Sequence, residues 1–356
     1  MNSELGKIAI LGSGETSPNL VSVHRELLEN GASSNCFMID SPFGFQENAD
    51  KLVEKIQDFY KTSLNIEINL ASFRKIEELN SKSFFKTIQL LETASFIFAG
   101  PGSPSYASKL WSGNQIQSIL VKHLSEGKNA LFASAAATTL GENTLPVYEI
   151  YKVGKDPFWE KGLNILNAYD LSCSIIPHFN NKEGGNHDTS YSYVGKNRIE
   201  KLLQQSYSNI LGVDEHTALV ISGKEGLFKV KGIGKLTVIN KKEVRQFDNG
   251  TIENLSILQD LLKPHEETTK NQKEILMNES EDTSYLKQIA KLEIQVERNR
   301  KNNERFSQIV EELISLRGKL REEKNYELSD TIRNILESCN LQIEDNGNDI
   351  TWSSLD

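Results

Sequence analysis

The sequence predicts an α/β protein, a mostly parallel sheet flanked by helices, followed by a small helical C-terminal domain. Three observations lead there. The first half alternates short runs of β-branched and aromatic residues with longer stretches of helical period, the pattern of βαβ units around a parallel sheet. Turns rich in glycine, proline and serine follow the apolar runs, where a doubly wound sheet gathers its functional loops. Near Lys263 the apolar anchors thin out into a stretch dense in Glu, Lys, Asn, Thr and Ser, which reads as a linker.

Taken in order, the predicted strands of the first half are Lys7 to Leu11, Cys36 to Ile39, Phe96 to Ala99 and Ala130 to Ala133. Between them Asn48 to Tyr60 and Phe84 to Leu91 read as helices, and Ser103 to Leu110 opens another after a Gly-Pro-Gly-Ser-Pro turn. After Gly141 the rhythm changes, with strands expected at Ser174 to Pro177, Ala218 to Ile221, Phe228 to Val230 and Lys235 to Ile239. The last two lie between glycines and are expected to form one β-rich edge. The domain organisation is therefore 1–262 for the α/β domain, 263–284 for the linker and 285–356 for the tail. In the tail, helices are expected through Arg300, over Phe306 to Glu323 and over Tyr326 to Glu337, with a strand-like end from Leu341 to Trp352. No fixed-period repeat suggests a solenoid.

A chain of 356 residues fits one main core with an appendage. Its formal net charge of -9 argues against a broad electropositive surface for nucleic acid. Cys36, Cys173 and Cys339 are scattered and form no CxxC pair, so neither a disulfide framework nor a thiolate zinc site is expected, and a reducing cytoplasm fits. The opening Met1 to Glu15 lacks the features of a secretory signal, and no apolar run approaches membrane-spanning length, so no membrane role is expected.

Four segments at predicted strand ends converge on one crevice: Gly12-Ser13-Gly14-Glu15, Asp40-Ser41-Pro42-Phe43-Gly44-Phe45-Gln46, Gly100-Pro101-Gly102-Ser103-Pro104, and Ser134. A serine between a strand and a helix presents its hydroxyl at the top of the sheet, which makes Ser134 the candidate nucleophile and an N-cap its structural alternative. The alanines after it let helix and strand approach closely, and the Ala135 N–H is the first candidate oxyanion donor. Gly102 is the second, since Pro101 has no N–H. A serine needs a base and the base an orienting acid; His178, just past an apolar strand, is the candidate base. Glu149, a charge among apolar neighbours in Pro146 to Lys152, is the favoured acid, with Asp214 and Glu215 as competitors. Gly14, Glu15, Phe43, Gln46 and Asn181 are candidates for substrate contact, and Asn180 to Asn186 reads as a loop over the crevice. A rival chemistry would use Glu183, His187 and Asp188 with Asp214, Glu215 and His216 as metal ligands, but their spacing matches no compact ligand motif.

On the opening Ile8 to Glu15, the glycine turn Phe98 to Ser103, Ala133-Ser134-Ala135, Pro177-His178-Phe179 with Arg198, and Leu211 to Leu219, the chain resembles the aspartyl dipeptidase and cyanophycinase family of serine peptidases over roughly Gly6 to Asn240. The resemblance implies the class I glutamine amidotransferase-like fold. It also implies Ser134 as nucleophile, His178 as general base, Glu149 as acid and the Gly102 and Ala135 amides as oxyanion hole. The family carries glycine two residues before and two after the serine, where this chain has Phe132 and Ala136, so Phe132 is expected to alter the elbow. A glutaminase cysteine is absent at the elbow, which disfavours ammonia transfer.

In the tail, Leu313, Leu316 and Leu320 share one helical face and Leu328, Ile332 and Leu336 another, so two helices are expected to bury these stripes together. Asp330 and Arg333 are spaced to pair on the surface. The order of residues from Leu313 to Trp352 resembles the extreme C-terminus of cysteinyl-tRNA synthetases, although the HIGH-like and KMSKS-like signatures are missing and the chain is no synthetase. Arg298, Arg300, Lys301, Arg317, Lys319 and Arg321 are the cations through which the tail would contact tRNA; docking on the α/β domain and dimerisation are its other expected roles. The leading expectation is a serine hydrolase, a peptidase or amidase for a small acidic or isopeptide substrate, needing no cofactor and no metal. The alternative is a catalytically silent ligand-binding module.

Overall fold

The computed structural model describes residues 5–29, 35–263, 285, 288–292, 294, 303–338, 341–346 and 349–354. The chain divides into two compact units, Met1–Glu77 with Leu90–Ile275 and Glu78–Gln89 with Leu276–Asp356.

The first unit is built on strands β1 (Lys7–Leu11), β2 (Cys36–Ile39), β3 (Ile68–Ala71), β4 (Phe96–Ala99), β5 (Asn129–Ala133), β6 (Asn143–Thr144), β7 (Glu160–Lys161), β8 (Ser174–Ile176), β9 (Ile210–Val213), β10 (Thr217–Ser222), β11 (Leu227–Gly232), β12 (Lys235–Ile239), β13 (Val244–Asp248) and β14 (Ile252–Asn254). Its helices include α1 (Val21–Leu27), α2 (Ala49–Phe59), α4 (Pro104–Trp111), α5 (Gln115–Ser125), α6 (Ala135–Thr138), α7 (Val147–Tyr151), α8 (Lys196–Gln205) and α9 (Leu255–Leu261), whereas α3 (Lys82–Glu92) falls mostly in the second unit. Eight strands form one mixed sheet in the order β14-β11-β10-β1-β5-β4-β2-β3, and a second sheet runs β13-β12-β9-β8. Strands β3, β2, β4, β5 and β1 are mutually parallel, and β10, β11 and β14 extend the sheet antiparallel beside β1.

Strands β2 and β4, Cys-Phe-Met-Ile and Phe-Ile-Phe-Ala, are buried at every residue, which is why they read as unbroken apolar runs rather than as alternation. Helix α2 buries Ala49, Val53, Ile56 and Phe59, a single stripe at helical spacing, against a core holding Met38, Phe96 and Phe98. The α/β architecture expected from the pattern is therefore present, with helices packed on a mostly parallel sheet.

Two local expectations change. Phe228 to Val230 and Lys235 to Ile239 do not form one edge: β11 lies in the eight-stranded sheet and β12 in the other. The intervening Gly232-Ile233-Gly234 carries the chain across, with Gly232 at φ +127° and a Gly234 site where a Cβ would meet the Asp214 Cβ at 2.5 Å. Strand β9 was not apparent in the sequence. It pairs in parallel with β8 and in antiparallel with β12, and its position proves decisive for the site.

The second unit contains the helices Asn303–Glu322 and Tyr326–Ser338 and a hairpin pairing Leu341–Asn346 with Asp349–Ser354. Its core joins Leu313, Leu316 and Leu320 to Leu328, Ile332 and Leu336, as the two stripes predict, and the hairpin adds Leu341 and Ile343. Arg317, expected as a surface cation, is fully buried, because it follows Leu316 onto the packed side of its helix. Arg333 Nε lies 3.0 Å from Glu337 Oε1, one turn along, rather than pairing with Asp330 as expected. Of the predicted linker 263–284, residues 264–284 lie outside the described residues, as do the cations Arg298, Arg300 and Lys301.

Candidate active site

The strand-end loops expected to share a crevice do so around Ser134. Strand β5 ends at Ala133, and Ser134 takes φ +50° and ψ -116° before α6 begins at Ala135. A non-glycine residue in that region is strained by about 1–3 kcal/mol, and its surroundings must hold it there. They do so from both sides: the Ser134 N–H donates to Leu11 O at 3.0 Å, and the Thr138 N–H donates to Ser134 O at 3.1 Å. Phe132 does not close the turn. It is fully buried in β5, and by strand alternation it points to the face opposite Leu131 and Ala133.

Ser134 Oγ lies 2.9 Å from His178 Nε2, and His178 Nδ1 lies 2.9 Å from Glu215 Oε1. An ionised carboxylate only accepts, so Nδ1 carries the proton and Nε2 is left to accept from the serine hydroxyl. His178 sits one residue beyond Pro177 at the end of β8, with φ +46°, and its N–H donates to Gly12 O at 3.2 Å. Glu215 follows the end of β9, the parallel neighbour of β8. Strands in a sheet lie about 4.8 Å apart, so residues just past neighbouring ends come within side-chain reach. The His178 hydrogen bond, reinforced by Asn181, holds Glu215 below the usual carboxylate range against the opposing effect of burial.

Glu149, the acid favoured on sequence grounds, is not at His178. Its Oε1 accepts from Ser105 Oγ at 2.7 Å, and its position on α7 places it on the wall of a cavity described below. Asp214, the other competitor, accepts from the Lys235 N–H at 2.9 Å, and burial pushes its carboxyl above the usual range. The carboxylate hydrogen-bonded to His178 is therefore Glu215 and not Glu149.

The amides expected to hold an oxyanion lie on two loops that touch. The Ala136 N–H donates to Gly100 O at 3.3 Å, which fastens the Gly100-Pro101-Gly102 turn to the start of α6. Gly102 has φ +142°, and a Cβ there would stand 1.9 Å from Pro42 O, so only glycine fits. Among the described residues, neither the Gly102 nor the Ala135 N–H donates to a protein acceptor. The Asp40 to Gly44 segment supports the turn: buried Asp40 accepts from Arg74 Nε at 2.6 Å, Ser72 Oγ at 2.9 Å and the Phe73 N–H at 3.1 Å, and Pro42 O accepts from the Ser103 N–H at 2.8 Å.

Of the expected substrate contacts, Gln46 lines the cavity that Glu149 walls. Phe43 is a core residue, 1% exposed among Leu20, Met38 and Phe98. Asn181, equally buried, donates through Nδ2 to Glu215 Oε1 at 2.8 Å, which makes it a support of the acid rather than a substrate contact. Gly14, at φ +73°, lies against His216, whose Nδ1 is 3.1 Å from Ser17 Oγ. The Glu15 carbonyl is 2.8 Å from His24 Nε2, so its backbone is held from below. The residues of the rival metal reading are dispersed. Glu183 accepts from Tyr193 Oη at 2.8 Å, Asp188 accepts from Ser190 and the Lys196 N–H, and His187 stacks on Tyr151 with ring centroids 6.1 Å apart. Among the described residues, no three His, Cys, Asp or Glu side chains come together as a ligand set.

The loop from Asn181 to Gly195 covers the histidine. Tyr191, Ser192 and Tyr193 are three successive residues with positive φ, and the Tyr193 ring centroid lies 5.8 Å from that of His178. A cavity that reaches Ser103, the residue after Gly102, has a volume of about 680 Å³ and is walled by Phe45, Gln46, Ser103, Ser105, Tyr106, Lys109, Tyr148, Glu149 and Glu160. No described helix is long and apolar enough to cross a membrane.

No protein-family model matches this chain. No curated protein matches it either. Solved structures do: a peptidase from an acI-B1 Actinobacterium is 20% identical with a TM-score of 0.58, over 71% of this chain and 98% of that one. A Listeria monocytogenes EGD-e protein provisionally assigned to peptidase E is 14% identical, over 68% of this chain and 98% of the other, with a TM-score of 0.39. The first of these shows that the α/β fold described above is one that a known peptidase also adopts.

Proposed function

We propose that this protein is a serine-type peptidase or amidase that works through an acyl-enzyme at Ser134. One observation carries the reading: an unbroken relay from Ser134 Oγ through His178 to Glu215, with both links at 2.9 Å, mounted on a serine held at φ +50°. The likeness in fold to a peptidase supports it.

In this mechanism Ser134 Oγ attacks the scissile carbonyl carbon while its proton passes to His178 Nε2. The charge that develops on the carbonyl oxygen meets the Gly102 and Ala135 N–H groups, which have no protein acceptor to give up among the described residues. Glu215, fixed by Asn181, stabilises the imidazolium and holds its tautomer. Collapse of the tetrahedral species breaks the carbon–nitrogen bond, and His178 returns the proton to the departing amine. Water, deprotonated by the same nitrogen, then releases the acyl group and restores the serine. The substrate class is a small peptide or amide, isopeptides included, since the cavity is of the size that holds one or two residues.

Active-site labelling with a fluorophosphonate tests the assignment. The native chain is expected to be labelled, and Ser134→Ala and His178→Ala are expected to lose the label. Labelling that survives both substitutions overturns the nucleophile.

A further inference from the structure

Two hydrogen bonds do not by themselves fix the His178 ring. They are made at Nε2 to Ser134 and at Nδ1 to Glu215, and together they define the line through the two nitrogens. Tilting about that line is opposed by whatever packs on the ring. The terminal torsion of a histidine is broad, so the side chain offers little resistance of its own. His178 is nevertheless well covered, its side chain only 20% exposed. Tyr193 lies against it, with ring centroids 5.8 Å apart and planes inclined at 48°.

The tyrosine reaches that place from a backbone that side chains rarely adopt. Tyr191, Ser192 and Tyr193 have φ of +54°, +56° and +66°, and three such residues in a row are costly to hold. What holds them is the segment that carries the histidine. The Tyr191 N–H donates to Phe179 O at 3.0 Å, the Ser192 N–H to His178 O at 3.3 Å and Ser192 Oγ to Pro177 O at 2.6 Å. Strain kept in a turn that is bonded to the backbone of the base points to a role in the site. The phenol end is fixed as well. Tyr193 Oη donates to Glu183 Oε2 at 2.8 Å, the Glu183 N–H donates to Asn181 Oδ1 at 3.1 Å, and Asn181 Nδ2 donates to Glu215 Oε1 at 2.8 Å. Glu215 in turn accepts from His178, so the chain of contacts closes on the ring where it began. Burial, and then the bond to Glu183, raise the Tyr193 phenol above its usual range, so it keeps its proton and remains the donor. Tyr151 gives the Tyr193 ring a second aromatic neighbour, at 5.7 Å between centroids.

We infer that Tyr193 is a positioning residue for the general base: its ring, latched by Glu183, holds the His178 imidazole in the plane that joins Ser134 to Glu215. For its effect on rate the inference rests on the hydrolase reading; for the hold on the ring it does not. Glu183 acts through Tyr193 alone in this arrangement, as the acceptor that keeps the ring seated.

The test is the kinetics of fluorophosphonate labelling of the full chain, with the maximal rate of modification separated from the concentration that half-saturates it. Tyr193→Ala is expected to lower the maximal rate by about 10–100-fold and to leave half-saturation unchanged, because misplacing a catalytic group by about 1 Å costs about 10²-fold. Tyr193→Phe and Glu183→Ala keep the ring and sever the latch, and each is expected to cost about 3–10-fold. Combined, they are expected to cost no more than either alone, since both remove the same hydrogen bond. A native maximal rate in Tyr193→Ala, or losses that multiply in the combined variant, overturns the inference. Proton NMR reads the hold on the ring without turnover. The Nδ1 proton, bonded to a carboxylate, gives a downfield resonance identified by its loss in His178→Ala. It is expected to persist in Tyr193→Phe and to be lost to exchange with water in Tyr193→Ala; its persistence in Tyr193→Ala overturns the inference. Labelling of the native chain with no effect of Tyr193→Ala on rate or resonance rejects the positioning role alone. A resonance that depends on Tyr193 in a native chain whose Ser134 is not labelled rejects the hydrolase reading and retains the hold on His178.

Discussion

Reach decides between the two carboxylates offered to His178. Glu149 lies on α7 with its Oε1 on Ser105, whereas Glu215 projects from the loop after β9 to within 2.9 Å of Nδ1. Glu215→Gln is expected to lower the fluorophosphonate labelling rate by about 10³–10⁴-fold, because an amide can present its N–H to Nδ1 and favour the wrong tautomer. Glu149→Gln is expected to leave that rate unchanged; measuring both by labelling kinetics checks the assignment. A second residue-scale outcome concerns His24, which is buried against Phe59, Tyr60 and Phe98 with its pKa lowered by burial to about 4. The unfolded chain takes up a proton there near the ordinary value of 6.5, while the folded chain resists until about pH 4. Stability linked to His24 is thus fully present above about pH 6.5 and is lost as the pH falls toward 4, by about 3 kcal/mol in all. Denaturant titrations of the native chain and of His24→Gln between pH 7 and pH 4 are expected to show a smaller acid loss in the variant, and parallel curves would refute the linkage. Nothing local in the sequence distinguishes a histidine that meets the Glu15 carbonyl from one on a helix surface.

Elements whose burial is complete were legible, and edges were not. Strands β1, β2 and β4 appear in the sequence as apolar runs because helices cover both faces of the sheet. Strands β3, β13 and β14 leave no apolar run in the sequence because each lies at the edge of a sheet and carries exposed polar residues, as in Val-Arg-Gln-Phe-Asp and Ile-Glu-Asn. Strand β9 is hidden in the sequence for another reason: Ile-Leu-Gly-Val is short, and Gly212 interrupts it where the Phe179 ring needs the space of a missing Cβ, at 2.3 Å. With β9 unseen, the adjacency of His178 and Glu215 could not be inferred. The loop elements yield a sharper prediction at Gly102. Gly102→Ala would drive a Cβ against Pro42 O and displace the amide, so labelling is expected to fall by about 10²–10³-fold, the usual cost of losing one oxyanion donor. A variant labelled at the native rate would remove Gly102 from the oxyanion assignment.

At the scale of the whole molecule, each of the two units has apolar clusters of its own. The sheet core gathers Leu11, Met38, Phe96, Phe98 and Leu131, and the second unit has its own, from Leu313 and Leu316 to Ile332 and Leu336. Ile332→Ala creates a cavity at a fully buried site and is expected to destabilise the second unit by about 2–5 kcal/mol. Differential scanning calorimetry is expected to show one transition moved down and the other in place, with fluorophosphonate labelling of Ser134 retained at temperatures between them. A single transition shifted as a whole would mean that the two cores unfold together. By itself the sequence determined the α/β class, the turn that carries Ser134, the histidine that faces it and the paired stripes of the tail. Each of these is written in local period, in turn chemistry or in residue type, which act over a few positions of chain. Only the tertiary structure decided that Glu215 rather than Glu149 completes the relay, that Phe43 and Asn181 are internal supports, and that Glu149 and Glu160 wall one cavity. Those facts depend on which strand ends become neighbours, and strand order is set by packing across the whole sheet rather than by any residue's neighbours in sequence.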